Sequence, residues 1–105
     1  VKQRYINLKT RAIVECDPVV GIEVPEPDRT WRICRVMSPI KNRGYGSEVL
    51  RECLADADAE GIILTLEAIP YEYGKLEDLL RFYERHGFVF GTTPDTAQVG
   101  FRYPT

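Results

Sequence analysis

The chain has 105 residues, 44% of them hydrophobic, and a formal net charge of −2. That is enough apolar material for one modest globular core. There is no overall basic footprint of the kind duplex nucleic-acid binders use, and no apolar run approaches the roughly 20 residues of a membrane span. Cys16, Cys34 and Cys53 are odd in number, widely spaced and form no C-x-x-C pair. Neither a disulfide scaffold nor a metal site is expected, and a reducing cytoplasm fits best. No n-region and h-region open the chain at Val1.

Residues 4 to 15 lean towards strand, with Tyr5, Ile6, Leu8, Ile13 and Val14 in a polar setting, and Asp17-Pro18 reads as a turn. Val19 to Val24 makes a second short strand. Pro25, Glu26, Pro27 and Asp28 form a loop before Trp31 to Met37, which alternates as a further strand, so a meander is the economical topology here.

From Ser47 the period changes. Val49, Leu50, Cys53, Leu54 and Ala57 form one apolar helical stripe up to Glu60, and Gly61 is placed to end the helix. Ile62 to Ile69 is an almost continuously apolar run bounded by Gly61 and Pro70, as a buried parallel strand would be, which makes a βαβ unit. Leu76, Leu79, Leu80 and Tyr83 then repeat with helical spacing, and Gly87 provides the stop. Phe88-Val89-Phe90 returns as a strand, and Gln98 to Tyr103 pairs with it as an antiparallel hairpin. The fold class is α/β, or more strictly α+β. One domain over residues 1–105 carries a mixed, mostly antiparallel sheet with a central βαβ unit and two main helices.

The first strand-to-helix turn of that unit is Pro39-Ile40-Lys41-Asn42-Arg43-Gly44-Tyr45-Gly46, followed by Ser47. Two glycines one residue apart let the backbone turn tightly and bring successive N–H groups towards a ligand, and the helix points its positive end at the same spot. Lys41 and Arg43 add side-chain charge, so a diphosphate is the natural guest. Glycine pairs also end strands and open helices for purely structural reasons. A Walker A loop is excluded by spacing, and the dinucleotide fingerprint needs a third glycine where Val49 stands.

The order of segments carries more than any one of them: strand, K-N-R-G-Y-G, helix, apolar strand ending L-E-A, then a helix ending F-Y-E-R-H-G-F. In this order the chain resembles the GNAT superfamily of acetyl-CoA-dependent N-acetyltransferases. The family's [QR]-x-x-G-x-[GA] motif is matched by Lys41 to Gly46, with lysine in the first position, and Tyr83-Glu84 with Gly87-Phe88 looks like its last helix. The likeness covers Trp31 to Phe90. The loop before Gly44 is one residue shorter than usual, and the N-terminal part is too short for the two helices that help wall the family's acceptor site. The chain is thus similar in economy to small phage-encoded anti-CRISPR acetyltransferases.

The resemblance implies an acetyl-CoA co-substrate held by Lys41, Asn42, Arg43, Gly44, Tyr45, Gly46 and Ser47 around the diphosphate. It also implies that Arg35, Val36 and Met37 offer strand backbone to the pantetheine arm, with side chains mostly packing the sheet. Glu67 would take the amine proton and Tyr83 would protonate the departing thiolate. His86, near the last helical turn, is given a structural role in which partial positive charge suits the helix dipole. The missing wall favours a protein lysine or N-terminus over a small-molecule amine, although a homodimer would rebuild it. The rival class is a non-catalytic CoA-binding or protein-interaction module.

Overall fold

In the computed structural model, which describes residues 1–19, 24, 26–39, 43–70 and 75–105, the β-leaning stretch from residue 4 to 15 is a hairpin rather than one strand. Asn7 is the cause. Its Oδ1 accepts the N–H groups of Lys9 and Thr10 at 2.9 and 3.2 Å, and Arg11 adopts a left-handed φ of 61°. The hairpin arms are β1 (Arg4–Ile6) and β2 (Ile13–Pro18).

The Asp17-Pro18 turn is corrected: both residues belong to β2, where they pair with Arg32 and Trp31 of β3 (Thr30–Met37). Val19 N–H donates to the Thr30 carbonyl at 3.0 Å. The nitrogen of Pro18 therefore points to the other edge, beyond the end of β1, where its missing N–H costs no ladder bond. The strand expected over Val19 to Val24 lies largely outside the described residues.

Helix α1 (Tyr45–Glu60) begins two residues earlier than the periodicity suggests, behind Gly44, whose φ of 73° places it in the left-handed region. Its apolar stripe of Val49, Leu50, Cys53, Leu54 and Ala57 is buried, and Gly61 N–H closes the far end on the Ala57 and Asp58 carbonyls. Strand β4 (Ile63–Glu67) follows, parallel to β3, completing the βαβ unit. Next come α2 (Leu76–Glu84), β5 (Val89–Phe90) and β6 (Val99–Arg102).

The sheet order is β1-β2-β3-β4-β6-β5. The closing strand does pair with β5, but it is inserted between β4 and β5 rather than left at the edge, with Gly100 paired to Leu66 on one side and Phe90 on the other.

The larger part of the core lies on one face of the sheet. Val14, Cys16, Ile33, Leu64, Leu66 and Ala68 meet the α1 stripe, and Tyr83 with Leu79 and Leu80 of α2 joins the same cluster. We call this the helix face. On the other face Thr30, Ile63 and Thr65 are also buried, but Ile6 and Met37 keep 47% and 38% of their surface exposed, so the sheet is open there around the ends of β1 and β3.

Candidate active site

Parallel strands pair along their whole length only if both keep the same course. Here the β3–β4 ladder covers just Thr30–Ile63, Trp31–Leu64 and Arg32–Thr65. Beyond it β3 stays with β2 as far as Met37, and β4 stays with β6 as far as Glu67. The two strands part into a wedge. The backbone groups on the inner edges, from residue 33 of β3 and residue 66 of β4 onwards, face a gap instead of each other.

A bulge accompanies the parting. Glu15 pairs with Arg35 and Cys16 with Ile33, so Cys34 is an extra residue in β3, and such an insertion bends the strand. It also changes which side chains face inwards. Trp31 and Ile33 pack on the helix face before it, and Val36 does so after it. Arg35 and Met37 emerge on the open face, which corrects the expectation that their side chains pack the sheet: Arg35 is 52% exposed.

The wedge leads to the start of α1. The Glu48 N–H is the first to reach a helical carbonyl, that of Gly44 at 3.1 Å. The N–H groups of Tyr45, Gly46 and Ser47 precede it and have no carbonyl in their own helix. Arg43 is exposed immediately before them, while Lys41 and Asn42 lie outside the described residues.

The two glycines differ in what they do. Gly44 serves the backbone through its positive φ. At Gly46 a Cβ would stand 3.9 Å from both Ser38 Cβ and Val36 Cγ1, ordinary contact that the fold tolerates. What that Cβ would fill is space between the first turn of α1 and the unpaired half of β3. A diphosphate close to the backbone would need that same space, so the residues present fit the group.

Glu67 ends β4, exposed, with no hydrogen bond or ion pair among the described residues. Tyr83 is 8% exposed on the opposite, helix face, edge-on to Phe82 and Phe88 with ring centroids 5.2 and 5.7 Å away. The structure therefore sets the two proton-transfer candidates on either side of the sheet.

His86 sits just beyond α2 with Nε2 3.3 Å from Ser47 Oγ. Burial, then the cations of Arg51, Arg85 and Arg102, lower its pKa. The expectation that positive charge suits this histidine is reversed, because burial first, and the three cations after it, outweigh the helix end.

All three cysteines are free. For the exposed Cys34, burial of part of its thiol and the Asp17 carboxylate raise the pKa, the opposite of what an activated nucleophile needs. Among the described residues no cluster of His, Cys, Asp and Glu could hold a metal ion, and no helix is long and apolar enough to cross a membrane. The bulge and the Glu15 contacts described below were invisible in the sequence, since a single extra residue in a strand carries no pattern of its own.

No protein-family model matches the chain, and no curated protein sequence matches it significantly. Solved structures do share its fold. The anti-CRISPR protein AcrVA5 superposes with a TM-score of 0.70 at 21% identity, covering 93% of this chain and 94% of its own. A protein from Lactobacillus plantarum assigned as an N-acetyltransferase gives 0.61 at 19% identity over 90% of this chain. One from Exiguobacterium sp. 255-15 assigned as an acetyltransferase gives 0.56 at 18% over 90%. The chain spans only 60% and 57% of the latter two, but nearly all of AcrVA5. The fold is GNAT-like.

Proposed function

We propose that the protein transfers an acetyl group from acetyl-CoA to a primary amine by direct attack in a ternary complex, and that the amine belongs to a protein lysine or N-terminus. The observation that carries this reading is the wedge between β3 and β4, which opens onto the unmet N–H groups at the start of α1. It offers a continuous run of backbone partners for an extended ligand ending in a diphosphate.

The N–H groups of Arg43, Gly44, Tyr45, Gly46 and Ser47 would hold the diphosphate, with Lys41 and Asn42 from the same loop beside them. The inner edge of Arg35, Val36 and Met37 would bond the amide-bearing arm as an added strand. Acetyl-CoA, when bound, supplies the thioester carbonyl that the amine attacks.

A lysine with an unperturbed pKa near 10.4 must lose a proton first, at about 4 to 5 kcal/mol at pH 7, whereas an α-amine near pKa 8 needs only about 1 to 1.5 kcal/mol. Glu67 accepts that proton from the open face, and Tyr83 donates one to the leaving sulfur from the helix face. A gap in the sheet is reachable from both faces, so opposite placement suits the two roles. Among the described residues no helix covers the open face beside Arg35 and Met37, which is why a protein acceptor, able to orient itself through its own contacts, is favoured.

The test is calorimetric titration with acetyl-CoA, followed by labelled acetyl-CoA with a cell lysate and, separately, with polyamines, aminoglycosides and amino acids. Saturable binding and label on protein are expected. Label confined to small amines would overturn the protein acceptor. Binding with no transfer to any amine would make the chain a non-catalytic CoA module, and absence of binding would remove the reading altogether.

A further inference from the structure

One row of side chains crosses the open face at the level of the wedge. Arg4 of β1 pairs with Glu15 of β2, and Glu15 pairs with Arg35 of β3. Counting on from the Arg32–Thr65 pair, with Cys34 as the extra residue, Arg35 and Glu67 stand level with each other across the gap. The row therefore reads Arg4, Glu15, Arg35, wedge, Glu67.

Its charges do not balance on the β1–β3 side. The single Glu15 carboxylate serves two guanidiniums, Arg4 through Oε2 at 3.2 Å and Arg35 through Oε1 at 3.4 Å. The second terminal nitrogen of Arg35 rests 3.1 Å from the Met37 thioether sulfur, a weak acceptor that a carboxylate would readily displace. Arg4 and Arg35 are 64% and 52% exposed, and Ile6 and Met37 give the same area an apolar border.

Resting on the acetyltransferase reading above, we propose that this strip docks a carboxylate of the acceptor, so that the preferred substrate is an extended segment carrying its amine a few residues from an Asp or Glu. Neighbouring strands lie about 4.8 Å apart and an extended chain rises about 3.3 Å per residue. With the amine in the wedge, a side chain above β3 to β1 is roughly two to four residues away. A lysine flanked by arginines meets like charge at the same place and is rejected.

The test uses short, dye-labelled single-lysine peptides with Glu, Gln or Arg two to four residues from the lysine. Binding is read by fluorescence anisotropy at about 0.05 M and about 0.5 M salt. Acetyl transfer is read as kcat/KM, and acetyl-CoA is titrated against the same preparations. The Glu peptides should bind about 5-fold more tightly than the Gln peptides at low salt, with the gap closing at high salt.

Arg4→Glu, an exposed change outside the cofactor contacts, should erase or reverse that ratio, and Arg35→Gln should reduce it in the binding measurement. Equal binding of Glu and Gln peptides, a ratio unmoved by both variants, or no peptide binding at all would each overturn the proposal. If any of these occurs while acetyl-CoA still binds, the acetyltransferase reading stands and only the docking strip is lost. If acetyl-CoA does not bind, the reading beneath it fails whatever the peptides do.

Discussion

The two halves of α1 are built to opposite ends. In its second half, Asp56 accepts the Tyr5 hydroxyl at 2.6 Å, and Asp58 takes both terminal nitrogens of Arg102 at 2.8 and 2.9 Å together with the Thr105 N–H at 3.1 Å. Acidic residues near a helix C-terminus work against the macrodipole. These partners, drawn from β1 and the end of the chain, more than offset it.

In the first half, the N–H groups of Tyr45, Gly46 and Ser47 are unmet within the helix. Glu48, Arg51 and Glu52 have no ion pair among the described residues. Apolar burial runs along both halves, through Val49 and Leu50 as through Leu54 and Ala57, but the polar anchoring is gathered at the end remote from the wedge. A helix anchored there can leave its other end short of partners, ready for a ligand that supplies them.

The largest effect should come from breaking the anchored half. Arg102→Ala leaves the partly buried Asp58 without its cation and the His86 carbonyl without the Arg102 Nε donor that it accepts at 2.9 Å. Urea unfolding should show a loss of about 3 kcal/mol. Acetyl-CoA affinity of the folded variant should stay within about 2-fold, since the Arg102 side chain hydrogen-bonds to none of the cradle residues and reaches Ser47 only through His86. Intact stability would mean that the anchoring lies elsewhere.

Gly46→Val should do the reverse. The Cβ meets its neighbours at an ordinary 3.9 Å and the branch beyond it enters the space of the cradle, so the variant should still fold. Affinity for acetyl-CoA should fall about 100-fold, or ~2.7 kcal/mol. Calorimetry on the folded variant decides it, and unchanged affinity would remove the cradle.

Chemistry at the wedge comes next in size. Tyr83→Phe keeps both ring contacts and should reduce turnover about 10-fold or more. Glu67→Gln should slow the reaction most near neutral pH and progressively less as pH approaches a lysine acceptor's value near 10.4. Wild-type rates in both variants would leave positioning alone to carry the reaction.

Two smaller effects sharpen the picture of the anchored half. Tyr5→Phe removes two part-buried hydrogen bonds, the one the hydroxyl donates to Asp56 and the one it accepts from the Lys2 N–H, and should cost about 1 to 2 kcal/mol in urea unfolding. The Arg102 guanidinium and Thr105 N–H hold the Asp58 pKa below its usual value. A depressed carboxylate contributes stability above its unfolded pKa, about 3.9, and loses it as pH falls through the lower folded value. Acid unfolding should therefore steepen below about pH 4, and Asp58→Asn should flatten that part of the curve.

How much of this was legible depends on the range of the interaction concerned. The βαβ unit, α1 with its Gly61 stop and α2 with Tyr83 follow from periodicity and glycine placement, which are local properties. The Asn7 turn was hidden because the apolar residues on either side continue the strand pattern. Asp17-Pro18 misled for the opposite reason: the dipeptide has turn chemistry, but the short β1 leaves its edge free. The insertion of β6 beside β4 and the row from Arg4 to Glu67 arise only once distant strands are aligned. The site was readable as a motif, therefore, while the surroundings that decide its substrate were not.

Cys34 has a consequence for any attempt to lengthen, shorten or transplant β3. The strand has two parities: odd positions, Trp31 and Ile33, are interior before the bulge, and an even one, Val36, is interior after it. Deleting the single residue at 34 would restore one alternation throughout without exchanging any side chain: Ile33 and Val36 would stay inside, Arg35 and Met37 outside, and the pairing with β2 would run on unbroken. What would be lost is the bend that the extra residue gives the strand. A shortening of one residue would thus leave the inside and outside of the strand intact and isolate the course that separates β3 from β4 from every side chain around it.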